Sequence, residues 1–125
     1  MRWRCFKGAL HASIFIDFVR RLIKDAEPKV ILILDNLKVH HSEPVQDWVE
    51  EYHDRIEIFY LPSCSPELNP VEVANADLKH AVTTHAPARR KGQLRLFASG
   101  YLRRLPRNQP RIISFFQIDT VRYAA

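Results

Sequence analysis

The sequence predicts an α/β layered domain. Strand-like and helix-like apolar patterns alternate through the first 61 residues, and one aliphatic run, Val30-Ile31-Leu32-Ile33-Leu34, ends on an acid, Asp35. A run this short, after Pro28 and before a polar turn, is the pattern of a strand buried on both faces. Strands alternating with helices favour parallel neighbours in one layer with helices packed over them. The length, 125 residues, suits a single domain, and a hydrophobic content of 46% can fill its core.

Taken in order, Met1 to Phe6 alternates and predicts a short strand. Ser13 can cap a helix to about Ala26, with Ile14, Phe15, Phe18, Val19, Leu22 and Ile23 as its buried stripe. Pro28 stops that helix, and the aliphatic strand follows. Ser42 caps a second helix with Pro44 in its first turn, burying Val45, Trp48, Val49 and Tyr52. Ile56 to Leu61 is the next strand. A stiff loop with three prolines, residues 61–70, then leads to a helix capped by Asn69, with Val71, Ala74, Leu78, Ala81 and Val82 inward. Pro87 interrupts. Leu94, Phe97, Tyr101 and Leu105 mark a last amphipathic helix, and Ile112, Ile113, Phe115 and Phe116 pack back as a short helix or extended arm.

Charge is divided unevenly. Residues 1–78 hold nine Lys or Arg against thirteen acids, whereas residues 79–125 hold ten against a single acid, Asp119. The split suits a protein that keeps metal ions in one place and a polyanion in another. A merely solvated basic surface is the plain alternative. Two cysteines, Cys5 and Cys64, form no paired spacing, which argues against a disulfide scaffold or a zinc site and for a reducing cytosol. No apolar run can span a membrane, and no secretory leader opens the chain, so the expected location is cytoplasmic with no membrane partner.

Two acids stand out by position. Asp35 ends a strand, where carboxylates enter the ligand crevice of an open α/β sheet. With Asn36 it equally suits a turn. Glu72 lies in the first turn of the helix after the following strand. Converged carboxylates stay ionised with cations between them, and Mg²⁺ takes one or two carboxylates plus water and substrate phosphate. Glu72 also stands at capping-box spacing from Asn69, in which case it would bond back to the Asn69 amide. His40 and His41 can bind a phosphate, hold an acid in place, or pack under the Ser42 helix.

The motifs Leu34-Asp35-Asn36 with His40-His41, then Tyr60-Leu61-Pro62-Ser63-Cys64-Ser65-Pro66-Glu67-Leu68-Asn69-Pro70-Val71-Glu72, then Ala76-Asp77-Leu78-Lys79, resemble the catalytic domain of mariner-related bacterial insertion-sequence transposases, members of the DDE superfamily of endonucleases. The ending, Phe115-Phe116-Gln117 and Val121-Arg122-Tyr123-Ala124-Ala125, is similar too. The resemblance implies an RNase H-like (retroviral-integrase-like) fold, three carboxylates holding two Mg²⁺ or Mn²⁺ ions, and strand cleavage and transfer at transposon ends. Asp35 matches the second carboxylate and Glu72 the third. Their spacing is slightly longer than usual, and the extra length can sit in Tyr52-His53-Asp54-Arg55.

The family's first carboxylate lies on a strand upstream of anything here. The expectation is therefore an N-terminally truncated catalytic domain, residues 1–85, with a basic helical C-terminal extension, residues 86–125, inactive alone. The missing strand would lie between Met1–Phe6 and Val30–Leu34. Expected DNA contacts are Lys79, Arg89, Arg90, Lys91, Arg95, Arg103, Arg104 and Arg107, with Asn36, His40 and His41 auxiliary to the carboxylates. Expected partners are DNA and either a transposase oligomer or an upstream transposase fragment. The alternative is a non-catalytic module that binds DNA or associates with transposase.

Overall fold

Residues 2–63, 65–84 and 91–124 are described by the structure, a computed structural model. Seven helices and strands follow one another: α1 (Ala12–Lys24), β1 (Val30–Leu34), α2 (Glu43–Glu51), β2 (Ile56–Tyr60), α3 (Pro70–Thr84), α4 (Lys91–Arg104) and α5 (Gln109–Phe115). Short 3-10 turns at Lys38–His41, Pro66–Leu68, Leu105–Arg107 and Asp119–Ala124 link or end them. Two compact units divide at Ser65 and Pro66. The boundary expected between residues 85 and 86 lies outside the described residues.

In the first unit, β1 and β2 pair in parallel, from Val30 opposite Ile56 to Leu34 opposite Tyr60. The ladder continues past both ends, with the Val30 amide donating to the Arg55 carbonyl at 2.9 Å and the Leu61 amide to the Leu34 carbonyl at 2.7 Å. The strands therefore end level, which brings the loops after them to one edge. α1 and α2 cover one sheet face. Phe15, Val19 and Ile23 of α1 meet Val45 and Trp48 of α2 and Ile56 of β2, with Val30, Leu32, Leu34 and Ile58 packed against them. Full burial of a side chain such as Ile56 contributes about 1.5–3 kcal/mol.

The expectation of a strand buried on both faces is corrected. Alternate residues of β1 face outward, leaving Ile31 65% and Ile33 46% exposed, with Phe59 of β2 51% exposed beside them. The run is uniformly aliphatic, so it carries no alternation from which to tell a covered face from an open one. The predicted strand at Met1–Phe6 is corrected as well: residues 2–6 have no regular structure. A strand needs a neighbour for its ladder, and here the exposed arginines of the alternating pattern reach α1 and its C-cap. Arg2 pairs with Asp25 at 2.9 Å, and Arg4 hydrogen-bonds Asp17.

Helix boundaries follow local chemistry, with two substitutions of partner. α1 begins after His11, whose side chain makes no capping bond, two residues earlier than a Ser13 cap implies. Ser42 occupies the N-cap of α2, but its hydroxyl donates back to the Val39 carbonyl at 2.7 Å, closing the preceding turn instead.

The second unit is helical. α3 packs on α4 and α5, and the turn at Asp119–Ala124 returns to that at Pro66–Leu68, where the Tyr123 hydroxyl donates to the Leu68 carbonyl at 2.6 Å. Among its described residues, Leu105, Phe115 and Val121 are the buried apolar ones. The predicted inward stripe of α3 is only half covered at Ala74, Leu78, Ala81 and Val82, and Val71 is exposed. Phe115 settles the Ile112–Phe116 segment as a short helix, α5, capped by Asn108, whose side chain accepts from the Arg111 amide at 3.2 Å.

Candidate active site

The turn after β1 and the end of β2 build one network. Asp35 leaves the strand half-exposed. His40, in the following 3-10 turn, is 4% exposed, and its ring packs 4.8 Å from that of Phe15. His40 Nδ1 stands 3.0 Å from the Asp35 carbonyl and 3.2 Å from Asp35 Oδ1. Both neighbours are acceptors, so Nδ1 carries the proton and donates. The buried imidazole thus fixes the acid at the strand end from beneath, and the second carboxylate oxygen is left for a ligand.

Asn36 is fixed separately. Its amide nitrogen donates to Ser63 Oγ at 2.7 Å, and its oxygen accepts from His41 Nε2. The His41 ring lies on Tyr60, with centroids 4.2 Å apart. Tyr60 in turn donates to the His40 carbonyl at 3.1 Å, and burial raises its phenol above the ordinary range. Of the choices left open for the histidines, His40 both packs in the core and holds an acid, while exposed His41 orients an amide. Tyr60 and Ser63 join the network with no role that their local sequence predicts. Their positions, one at the last residue of a strand and one in the proline-rich loop after it, are the signal that placed them there.

Glu72 sits in the second unit, in the first turn of α3. The expected capping box does not close: among the described residues its carboxylate accepts no hydrogen bond, and the Asn69 amide donates to the Pro66 carbonyl at 3.0 Å. Asn69 caps alone, its side chain accepting from the Val71 amide at 3.0 Å. Glu72 is an exposed acid at a helix N-terminus with no local structural partner. Among the described residues, no three His, Cys, Asp or Glu side chains gather as a metal cluster.

The basic residues fall on the helical unit. Lys79 on α3, Arg95, Arg103 and Arg104 on α4 and Arg107 beyond it are exposed, and none pairs with an acid among the described residues. Lys91 opens α4, and Arg89 and Arg90 lie outside the described residues. Arg111 differs: its Nε donates to Asp77 Oδ2 at 3.2 Å and its Nη2 bonds Oδ1, while the Tyr101 hydroxyl bonds the same carboxylate. The guanidinium holds Asp77 below the usual carboxylate range. Burial, and then Asp77, push Tyr101 up to about 12.

A family model described as DDE superfamily endonuclease matches residues 2–95. The chain belongs to that superfamily. No curated protein and no solved structure matches it. The RNase H-like α/β fold of DDE superfamily domains agrees with the helices and parallel strands seen here, and the superfamily assigns the chain in general terms to nuclease chemistry on DNA. DDE enzymes generally use divalent metal ions. No helix among the described residues is long and apolar enough to cross a membrane.

Proposed function

We propose that the chain carries out part of DNA strand cleavage and transfer in the transposition of a mariner-related insertion sequence, with Asp35 and Glu72 as ligands for Mg²⁺ or Mn²⁺. The observation that carries this reading is the fixing of Asp35. A carboxylate at a strand end is held by a buried histidine, with one oxygen left for a cation. That arrangement fits Mg²⁺, which takes one or two carboxylates and fills its sphere with water and substrate phosphate. Bound there, paired ions would activate the attacking oxygen and stabilise the leaving one. The chain's own contribution is to keep His40 Nδ1–H on Asp35, to hold Asn36 between Ser63 and His41 beside it, and to attract the DNA backbone through the arginines of α4.

Two matched carboxylates are fewer than the three that the family resemblance implies, so the purified chain is expected to show no useful turnover. A supercoiled-plasmid nicking assay in Mn²⁺ tests this, alone and with a co-expressed upstream transposase piece as the proposed partner. Nicking that appears with the piece and disappears in Asp35→Asn supports the reading. Nicking by the chain alone that survives Asp35→Asn overturns it.

The second reading, a non-catalytic DNA-binding or transposase-associating module, is favoured by Lys79, Arg95, Arg103, Arg104 and Arg107, exposed cations of the helical unit with no acidic partner among the described residues. DNA binding without nicking in every combination would select it. The location that goes with this proposal is the cytoplasm of a bacterial cell, at the nucleoid when the protein is bound to DNA.

A further inference from the structure

Two clefts lie side by side on the helical unit and share two wall residues, Tyr101 and Arg104. One, of about 430 Å³, has Asp77, Arg104, Asn108 and Arg111 on its wall beside Leu105. The other, of about 260 Å³, is lined mainly by apolar residues, Val82, Leu96, Phe97 and Gly100, with Arg104 at its edge. Phe97, Gly100, Tyr101 and Arg104 recur at three- and four-residue steps of α4, so one helical stripe runs through both.

The chemistry of each cleft selects a different part of one ligand. In the larger cleft, Arg111 is matched by Asp77, while Arg104 has no acidic partner among the described residues. Its net charge is positive, and it takes an anionic group. The smaller cleft is open to solvent, with Leu96 72% exposed, and carries an aromatic ring on its wall. Flat π surfaces stack on such rings whatever their base identity. A phosphate and a base within one ligand's reach make a nucleotide. A base inside a duplex hides its faces in the stack, so only an unstacked one can use this wall.

We propose that the paired clefts bind a single unpaired nucleotide of a DNA strand, its phosphate at Arg104 and its base beside Phe97 and Tyr101. This rests on the DNA reading given above. It differs from general backbone binding in requiring a nucleotide free of its partner strand.

Gly100 supplies a clean test. A Cβ built there meets nothing within 4 Å, and helix interiors favour other residues over glycine. Gly100→Leu should therefore fill the smaller cleft without harming the fold, which a thermal melt verifies. Binding of the full chain is measured with a blunt hairpin DNA and with the same hairpin bearing a short unpaired tail that contains a fluorescent purine analogue quenched by stacking. The expected result is tighter binding of the tailed DNA by roughly tenfold, with quenching of the analogue. Gly100→Leu and Phe97→Ala should abolish both the advantage and the quenching and leave blunt-hairpin affinity intact. Equal affinity for the two DNAs, or an advantage that survives Gly100→Leu, overturns the nucleotide site and leaves the DNA reading standing. Failure to bind either DNA overturns both.

Discussion

The Tyr60 hydroxyl donates to the His40 carbonyl across 3.1 Å, tying the last residue of β2 to the turn that follows β1. Tyr60→Phe keeps the ring against His41 and removes only this bond. The expected cost is about 0.5–1.5 kcal/mol in urea unfolding, the usual worth of a neutral hydrogen bond. A variant as stable as the parent would show that the turn holds its shape unaided.

Asp35 and Glu72 should part company with ordinary surface acids when metal is titrated. Weak Mn²⁺ binding by the parent chain is expected, with Asp35→Asn weaker by at least about tenfold. Equal binding by both would remove Asp35 from the site. Glu72→Gln should weaken Mn²⁺ as well while shifting stability by less than about 0.5 kcal/mol, because its carboxylate supports no cap. A larger loss of stability would restore the capping role.

Affinity for DNA should fall steeply with salt. If the five exposed cations Lys79, Arg95, Arg103, Arg104 and Arg107 each neutralise a phosphate, log K falls against log salt with a slope of about −4.5. Replacing Arg103 and Arg104 together by Ala should make that slope shallower by about 2, measured by fluorescence anisotropy. An affinity indifferent to salt would exclude backbone binding by these residues.

The Asp77–Tyr101–Arg111 cluster gives the helical unit opposite pH limits. Asp77 is depressed by Arg111, so its contribution is present above its unfolded value, 3.8, and is lost as pH falls through the lower folded value. Tyr101 is raised from 10.0 to about 12, so its contribution is present below 10 and is lost between 10 and 12. Thermal melts should show stability declining at both extremes, with the alkaline decline reduced in Tyr101→Phe. A Tyr101 that ionises near 10 in ultraviolet titration would contradict the cluster.

The open sheet face should make the chain prone to self-association. Ile31, Ile33 and Phe59 point away from the core beside strand edges that are unpaired among the described residues. Ile31→Lys with Phe59→Lys is expected to raise the soluble fraction without lowering the melting temperature, since neither side chain belongs to the buried cluster. Unchanged aggregation would point to another surface.

The helices and both strands of the first unit were legible because each announces itself locally. The α1 stripe, the Pro28 stop and the short aliphatic run need no knowledge of neighbours. What escaped depends on partners far along the chain. Whether Ile31 is covered depends on what lies across the sheet, and Arg2 and Arg4 look like half of a strand until Asp25 and Asp17 are seen to claim them. The same holds at the candidate site. Asp35 was legible from its place at a strand end, whereas its fastening by His40 depends on the 3-10 geometry of Lys38–His41, and Asn36 on a serine 27 residues later. Glu72 shows the reverse: local spacing promised a box that the Asn69–Pro66 bond pre-empts.

The turn at residues 52–55 stands at the opposite pole of the sheet from Asp35. It is riveted there by Arg55, whose guanidinium donates to the Ile23 and Ala26 carbonyls at 2.8 and 2.7 Å, past which the chain enters β2 in fixed alignment. His53 and Asp54 lie outside that rivet, exposed. Residues gained or lost between them would change the count separating Asp35 from Glu72 while leaving the strand tips level. Sequence distance between the two acids is thus a poor ruler of kinship for such chains. What the Arg55 rivet fixes is the alignment of Leu34 with Tyr60, and the exposed turn at His53 and Asp54, closed onto the Glu50 and Tyr52 carbonyls, is where a change in length would leave that alignment intact.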